Sequence, residues 1–243
     1  MAEFFKLKTS ESEAVRYDEG LRSYMLSIFK YMAIALYITG LTAYFAGTSE
    51  AFLKILYVQN SHGGFSPSMV TWIMMFAPLG FAFFVFPRLG SMESSTAQIV
   101  FWAFAVVMGL SMSSIFLTYT SESIARTFFI CASTFGVACI YGYTTKKDLT
   151  NFGSFLFMGL IGIILASLVN FFFHSSAMEF AISVAGVLIF TGLTIYDTQK
   201  LKSLYYISQG QNNNLAIIGA LKLYLDFINL FMYLLRFVGN RKN

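Results

Sequence analysis

Charge is scarce in this sequence. Only 12% of its 243 residues are Asp, Glu, Lys or Arg, and 57% are hydrophobic. Soluble domains carry roughly twice that charged fraction, so a water-soluble body is excluded for most of the chain. Cysteine is nearly absent. Cys131 and Cys139 lie about two helical turns apart in one apolar segment. They exclude a disulfide framework and suit small packing residues better than redox or metal chemistry. Histidine is confined to His62 and His174, in separate loops without a partner motif, so neither is expected to ligate a metal. No basic cluster interleaves with exposed aromatics, which removes the usual footprint of a nucleic-acid partner. Zinc motifs and nucleophile–base pairs are also missing, and an enzyme is not expected.

What the sequence has instead is apolar length. Seven runs approach the ~20 residues that cross a ~30 Å hydrocarbon core. They are Tyr24–Phe45, Val70–Phe86, Ala97–Leu117, Arg126–Tyr143, Phe152–Phe173, Phe180–Ile195 (extending to Tyr206) and Leu215–Val238. Lipid satisfies no backbone group, so these runs are expected to be helices. The fold class is an all-α integral membrane protein with seven transmembrane helices. Residues 1–23 form a mixed-charge arm and residues 24–243 the membrane domain. The arm lacks the basic start, short apolar centre and cleavage site of a signal peptide. The longest loop carries "QNSHGGFSPS", which has turn chemistry. Small residues four apart, Ala132 with Gly136 and Ala138 with Gly142, allow close helix approach.

Basic residues set the expected orientation. With the arm inside, the inner segments hold Lys6, Lys8, Arg16, Arg22, Arg88, Lys146, Lys147, Lys200 and Lys202. The outer segments hold Lys54, Arg126, Arg236, Arg241 and Lys242. The inner excess places the N-terminal arm in the cytoplasm, in an inner membrane. Seven spans then put the basic "RFVGNRKN" outside. A re-entrant last segment would return it inside, but the last run is long enough to cross.

Two carboxylates break the apolar pattern. Ten of the twelve acids lie in the arm or in loops, whereas Asp197 and Asp226 fall within or at the edge of apolar runs. A carboxylate at mid-membrane costs about 2.5–3.5 kcal/mol on insertion scales, so it is normally aimed at a partner or a wet cavity. Lys222 precedes Asp226 by one turn, and Asp197 precedes Lys200 by about one turn. If both lysines snorkel to the inner surface, the acids lie roughly 6 Å deeper at matching depth. Such a pair does not ionise twice cheaply and titrates as a unit. In its ionised form it attracts a hard divalent cation such as Ca²⁺ through oxygen ligands. A local ion pair between Lys222 and Asp226 is the competing arrangement. Asn229, one turn beyond Asp226, adds a polar group to the same face, and Tyr196 and Thr198 flank Asp197.

The stretches "FTGLTIYDTQKLK" and "ALKLYLDFINLFMYLLRFVG" resemble the signature of the transmembrane Bax inhibitor motif (Bax inhibitor-one) family, in its bacterial YccA- and YetJ-like branch. The likeness is specific over roughly the last fifty residues and extends in length and span count over the whole chain. It implies six helices wrapped around a central C-terminal one. It also implies a pH-sensitive calcium leak in which Asp197 and Asp226 form the proton-sensitive gate. A basic residue after the second helix latches that pair in the family. The matching position here is Arg88, after Pro87, although a cluster of arginines is missing there.

The expected function is thus a calcium leak or transporter gated by Asp197 and Asp226, with Arg88, Lys222 and Asn229 as latch or modulators. No cofactor is expected; Ca²⁺ is the transported or bound ion, and lipid, calcium and protons are the partners. The alternative is a regulatory protein that binds a membrane protease or cell-death partner. An intramembrane aspartyl protease fits less well. "YD" is present at Tyr196–Asp197, but the motif around Asp226 has neither glycine of "GxGD".

Overall fold

The computed structural model describes residues 2–59, 65–208 and 214–242, with side chains from Glu19 onward except at Gln59 and Phe65. His62 lies outside the described residues. The helices and strands, in order, are α1 (Ala2–Thr48), α2 (Glu50–Leu56), β1 (Tyr57–Gln59), β2 (Phe65–Pro67), α3 (Met69–Gly80), α4 (Ser94–Met112), α5 (Ile115–Thr118), α6 (Ser121–Thr144), α7 (Thr150–Phe173), α8 (Ser176–Ser208) and α9 (Leu215–Val238). Seven segments are long and apolar enough to cross a membrane: Glu19–Thr48, Met69–Ser91, Ser94–Thr118, Ser121–Thr144, Thr150–Phe173, Ser176–Ser208 and Leu215–Val238. Each contains or overlaps one of the seven apolar runs. This is an all-α membrane protein.

Local chemistry sets the helix limits. Ser68 caps α3 by accepting from Thr71 N, and Thr120 caps α6 by accepting from Ser123 N. Pro78 sits inside α3 and withholds a backbone donor. The helix then widens into a π-helical turn at Phe81–Val85 and tightens to a 3-10 turn at Phe86–Ser91. α7 ends where His174 takes a left-handed conformation, φ 51°, and its N–H bonds Asn170 O at 2.8 Å. The long loop after the first span is more ordered than turn chemistry alone suggests. It holds α2 and an antiparallel hairpin that pairs Tyr57 with Pro67 and Gln59 with Phe65.

α9 is the most deeply packed span. Thirteen of its 24 residues are buried, against none in α3 and three in α7. It packs on α1, α4, α6 and α8, whereas α7 rests mainly on α8 and α3 mainly on α4. One buried polar node joins three helices. Thr39 Oγ1 of α1 donates to Ala105 O of α4 at 2.9 Å, which commits its single hydrogen. Tyr224 OH of α9 therefore donates to Thr39 Oγ1, at 2.7 Å. The Tyr224 ring fits edge-on between Phe101 and Phe104.

Both ends of α9 are tied down. At its start, Asn214 Nδ2 donates to Leu89 O and Met92 O, and Ser94 Oγ donates to Asn214 Oδ1. At its end, the following segment knits into the α5–α6 junction. Thr120 N donates to Asn240 O and Lys242 N to Thr118 O. Asn240 N donates to Ser123 Oγ, and Arg241 pairs with Glu179 at 2.8 Å. These two sets of contacts lie at opposite ends of the bundle, so α9 runs its full length without turning back.

Candidate functional site

α8 and α9 share the most extensive helix–helix interface of the fold. Gly186 and Gly192 of α8 keep that helix slim: a methyl at the first would strike the Tyr233 ring of α9 and at the second the Leu156 side chain of α7. Asp197 projects from α8 and Asp226 from α9, 2% and 6% exposed. The two carboxyls line one cavity at the α8–α9 interface, together with Lys222. Asp226 Oδ2 is buried without a hydrogen-bond partner among the described residues.

Lys222 does not form the local pair with Asp226 that its spacing allowed. Its Nζ lies 2.6 Å from Asp197 Oδ1, across the helix interface. The pairing is asymmetric: the Lys222 side chain is 42% exposed and the Asp197 side chain 3%. Rotation of α9 against α8 decides this, since it turns the Lys222 stem toward α8. The ammonium also lies 5.8 Å from the Tyr196 ring centroid, and Lys200 lies 5.6 Å from the same ring. Both ammoniums thus lie within cation–π range of the Tyr196 ring.

Neighbouring hydroxyls do not serve the acids. Thr194 Oγ1 donates to Phe190 O and Thr198 Oγ1 to Thr194 O, both within α8. Asn229 Nδ2 donates to Leu225 O at 2.8 Å, one turn back along α9. What compensates Asp197 is therefore the ammonium alone.

A cavity of about 860 Å³ opens beside the pair. Asp197, Lys200, Lys222, Asp226 and Asn229 supply its polar wall, with Tyr196. Gly153 and Ser154 of α7 form the opposite side. Sequence reasoning missed these two, and the only signal was a glycine inside an apolar run. Gly153 is needed there: a methyl would collide with the Tyr196 ring.

Arg88, the matching position for a latch, stands elsewhere. It is exposed, its Nη1 donates to Phe84 O at 2.7 Å, and it does not line the cavity. The cation at the acid pair is Lys222. Among the described residues, no three His, Cys, Asp or Glu side chains gather in one place. A hard cation at this site would therefore draw on two carboxylates and otherwise on neutral oxygens and water. Cys131 and Cys139 are buried free thiols, Cys131 pointing at Phe227 O at 3.7 Å.

Comparison with known proteins bears on the whole chain. A Rickettsia prowazekii protein designated RP147 is 48% identical over 245 aligned positions, covering 100% of both chains. A Caulobacter vibrioides protein is 42% identical, covering 93% of this chain and 91% of its own length. The Escherichia coli inner membrane protein YbhL is 41% identical, covering 92% of this chain and 94% of its own. The family model described as inhibitor of apoptosis-promoting Bax1 matches residues 21–243. This seven-span membrane protein belongs to the Bax inhibitor-1 family.

Proposed function

We propose that the chain is a pH-sensitive calcium leak pathway of the bacterial inner membrane, with its N-terminal arm in the cytoplasm, gated by Asp197 and Asp226. The observation that carries this reading is the composition of the cluster: two buried carboxyls and one ammonium line the same cavity. With both acids ionised and Lys222 charged, the cluster holds one net negative charge. With one acid protonated it is neutral. Proton uptake thus erases the charge that would draw a cation. Lys222 acts as a tethered counter-ion. Its Nζ occupies the oxygen of Asp197 that a divalent cation needs, so cation entry and release of the ammonium go together. Asp226, without an ammonium of its own, is the group that exchanges the proton. Basic residues at the inner end and the name of the similar Escherichia coli protein support the assigned membrane and orientation.

A protease reading is disfavoured by the same ion pair, because aspartyl catalysis needs both carboxyls free to handle one water. Calcium flux into liposomes that contain only this chain, at pH 6 and pH 8, is the test. Wild type is expected to respond to pH. Asp226→Asn, which keeps the shape of a protonated Asp but cannot ionise, is expected to hold flux at the wild-type low-pH level at both values. A wild-type response retained in Asp226→Asn would remove the acid pair as sensor. Absence of flux in every case would favour a regulatory protein that acts through a membrane partner.

A further inference from the structure

α1 and α6 both pack on α9 but scarcely on each other. A crevice of about 820 Å³ runs between them and shares no lining residue with the aspartate cavity. Its walls include Arg22, Met25 and Met32 of α1, and Gly136 and Tyr143 of α6. Three observations say what fits it.

The first is depth. From Arg22 to Met32 the wall of α1 rises about 15 Å. That is half of a ~30 Å hydrocarbon core, or one leaflet.

The second is Gly136. A side chain built there meets nothing within 4 Å, so no protein neighbour requires its smallness. Gly142, on the same helix, is different: a methyl there would strike the Ile195 carbonyl of α8. Of the small pairs on α6, Ala138 with Gly142 serves close helix approach, while Gly136 opens onto the crevice.

The third is charge at one end only. Arg22 lines the mouth, and among the residues whose side chains are described it makes no ion pair. Glu19, one turn earlier, borders the same outer surface. Beside the mouth, Lys202 Nζ donates to Tyr143 O at 3.0 Å and lies 5.1 Å from that ring's centroid. Apolar walls one leaflet deep with cations at the headgroup level match one kind of molecule. Basic pockets between transmembrane helices recognise anionic headgroups.

We infer that this crevice holds one anionic phospholipid of the leaflet at the Arg22 end. An acyl chain lies against Met32 and Gly136, and the phosphate headgroup sits at Arg22 and Lys202. The site is independent of the gating proposed above.

Native mass spectrometry of the full chain in neutral detergent, titrated with phosphatidylglycerol or phosphatidylethanolamine, tests it. Wild type is expected to retain one phosphatidylglycerol in preference to phosphatidylethanolamine. Arg22→Gln should weaken phosphatidylglycerol about fivefold and leave phosphatidylethanolamine unchanged. Gly136→Phe, which adds bulk at the crevice wall where a Cβ meets no protein atom within 4 Å, should abolish retention of both lipids. Gly136→Leu, a good helix former, gives the same reading if phenylalanine disturbs folding, which melting curves check. Undiminished phosphatidylglycerol on the folded Gly136 variants would overturn the inference, as would an unchanged lipid preference in Arg22→Gln.

Discussion

Lys222 reaches across to Asp197 on the neighbouring helix, at 2.6 Å, and not to Asp226 one turn along its own. The consequence is a division of labour between two acids that look alike in sequence. In the gating proposed above, Asp197 is the acid held by the ammonium and Asp226 the one left to exchange a proton.

Removing the cation should therefore cost stability, and removing its partner as well should restore much of it. Stranding a buried carboxylate costs about 3–5 kcal/mol when the partner is also buried. Lys222 is well exposed, so about 2 kcal/mol is expected for Lys222→Met. The double variant Lys222→Met/Asp197→Asn should recover more than half. Denaturation in detergent measures all three. A purely additive loss would mean that the pair contributes nothing.

The two candidate latches separate cleanly. Arg88 bonds its own helix at Phe84 O, so Arg88→Gln should leave the pH midpoint of calcium flux in place. Lys222→Gln should move that midpoint upward, because loss of the ammonium makes proton uptake by the acids easier. The same liposome assay, run in pH steps, reads both. The reverse pattern would give the latch role to Arg88.

The polar node at Thr39 predicts unequal costs for two conservative changes. Thr39→Val leaves Tyr224 OH without its acceptor inside the bundle and should cost about 1–3 kcal/mol. Tyr224→Phe removes one donor while Thr39 keeps its bond to Ala105 O, and should cost about 1 kcal/mol. Equal losses would show that the bonds do not run from Tyr224 through Thr39 to Ala105.

Asp148 anchors the entry to α7. Its Oδ1 accepts from Thr150 Oγ1 at 2.6 Å and from Thr150 N at 2.9 Å. These bonds, the hydroxyl's first, hold its carboxyl below the ordinary 3.8. The contribution is therefore present above 3.8 and lost as pH falls through the lower folded value. Asp148→Ala should speed hydrogen exchange of the first α7 amides at pH 6 relative to wild type. After correction for the intrinsic pH effect, the two proteins should converge once the pH has fallen below the folded value of Asp148. A difference that persists there would point to a steric role.

The seven spans were legible because length and apolarity alone determine a helix in lipid. Asp197 and Asp226 were legible as candidates because acids are rare in such runs; the depth argument assumed that Lys222 reaches the inner surface, whereas it turns to Asp197. Other features were not. Whether Lys222 turns to Asp226 or to Asp197 depends on how α9 is rotated against α8, and no spacing along one helix encodes that. The hairpin at Tyr57–Gln59 and Phe65–Pro67 is too short to show alternation. Gly153 and Ser154 join the cavity only because α7 leans on α8. The crevice at Gly136 lies between the first and fourth spans and is invisible as a local pattern, since a glycine facing open space reads the same as one facing a neighbour.

Deep burial of α9 also has a consequence for biosynthesis. The span on which α1, α6 and α8 converge is made after all six others. A nascent chain halted before residue 215 holds six inserted helices but lacks the surface on which they assemble. Its Asp197 has no ammonium to meet. Insertion and assembly are thus separated in time, and the last helix to leave the ribosome both neutralises the buried acid and closes the bundle. A half-made molecule thus carries an unmatched carboxylate within the bilayer until its last span arrives.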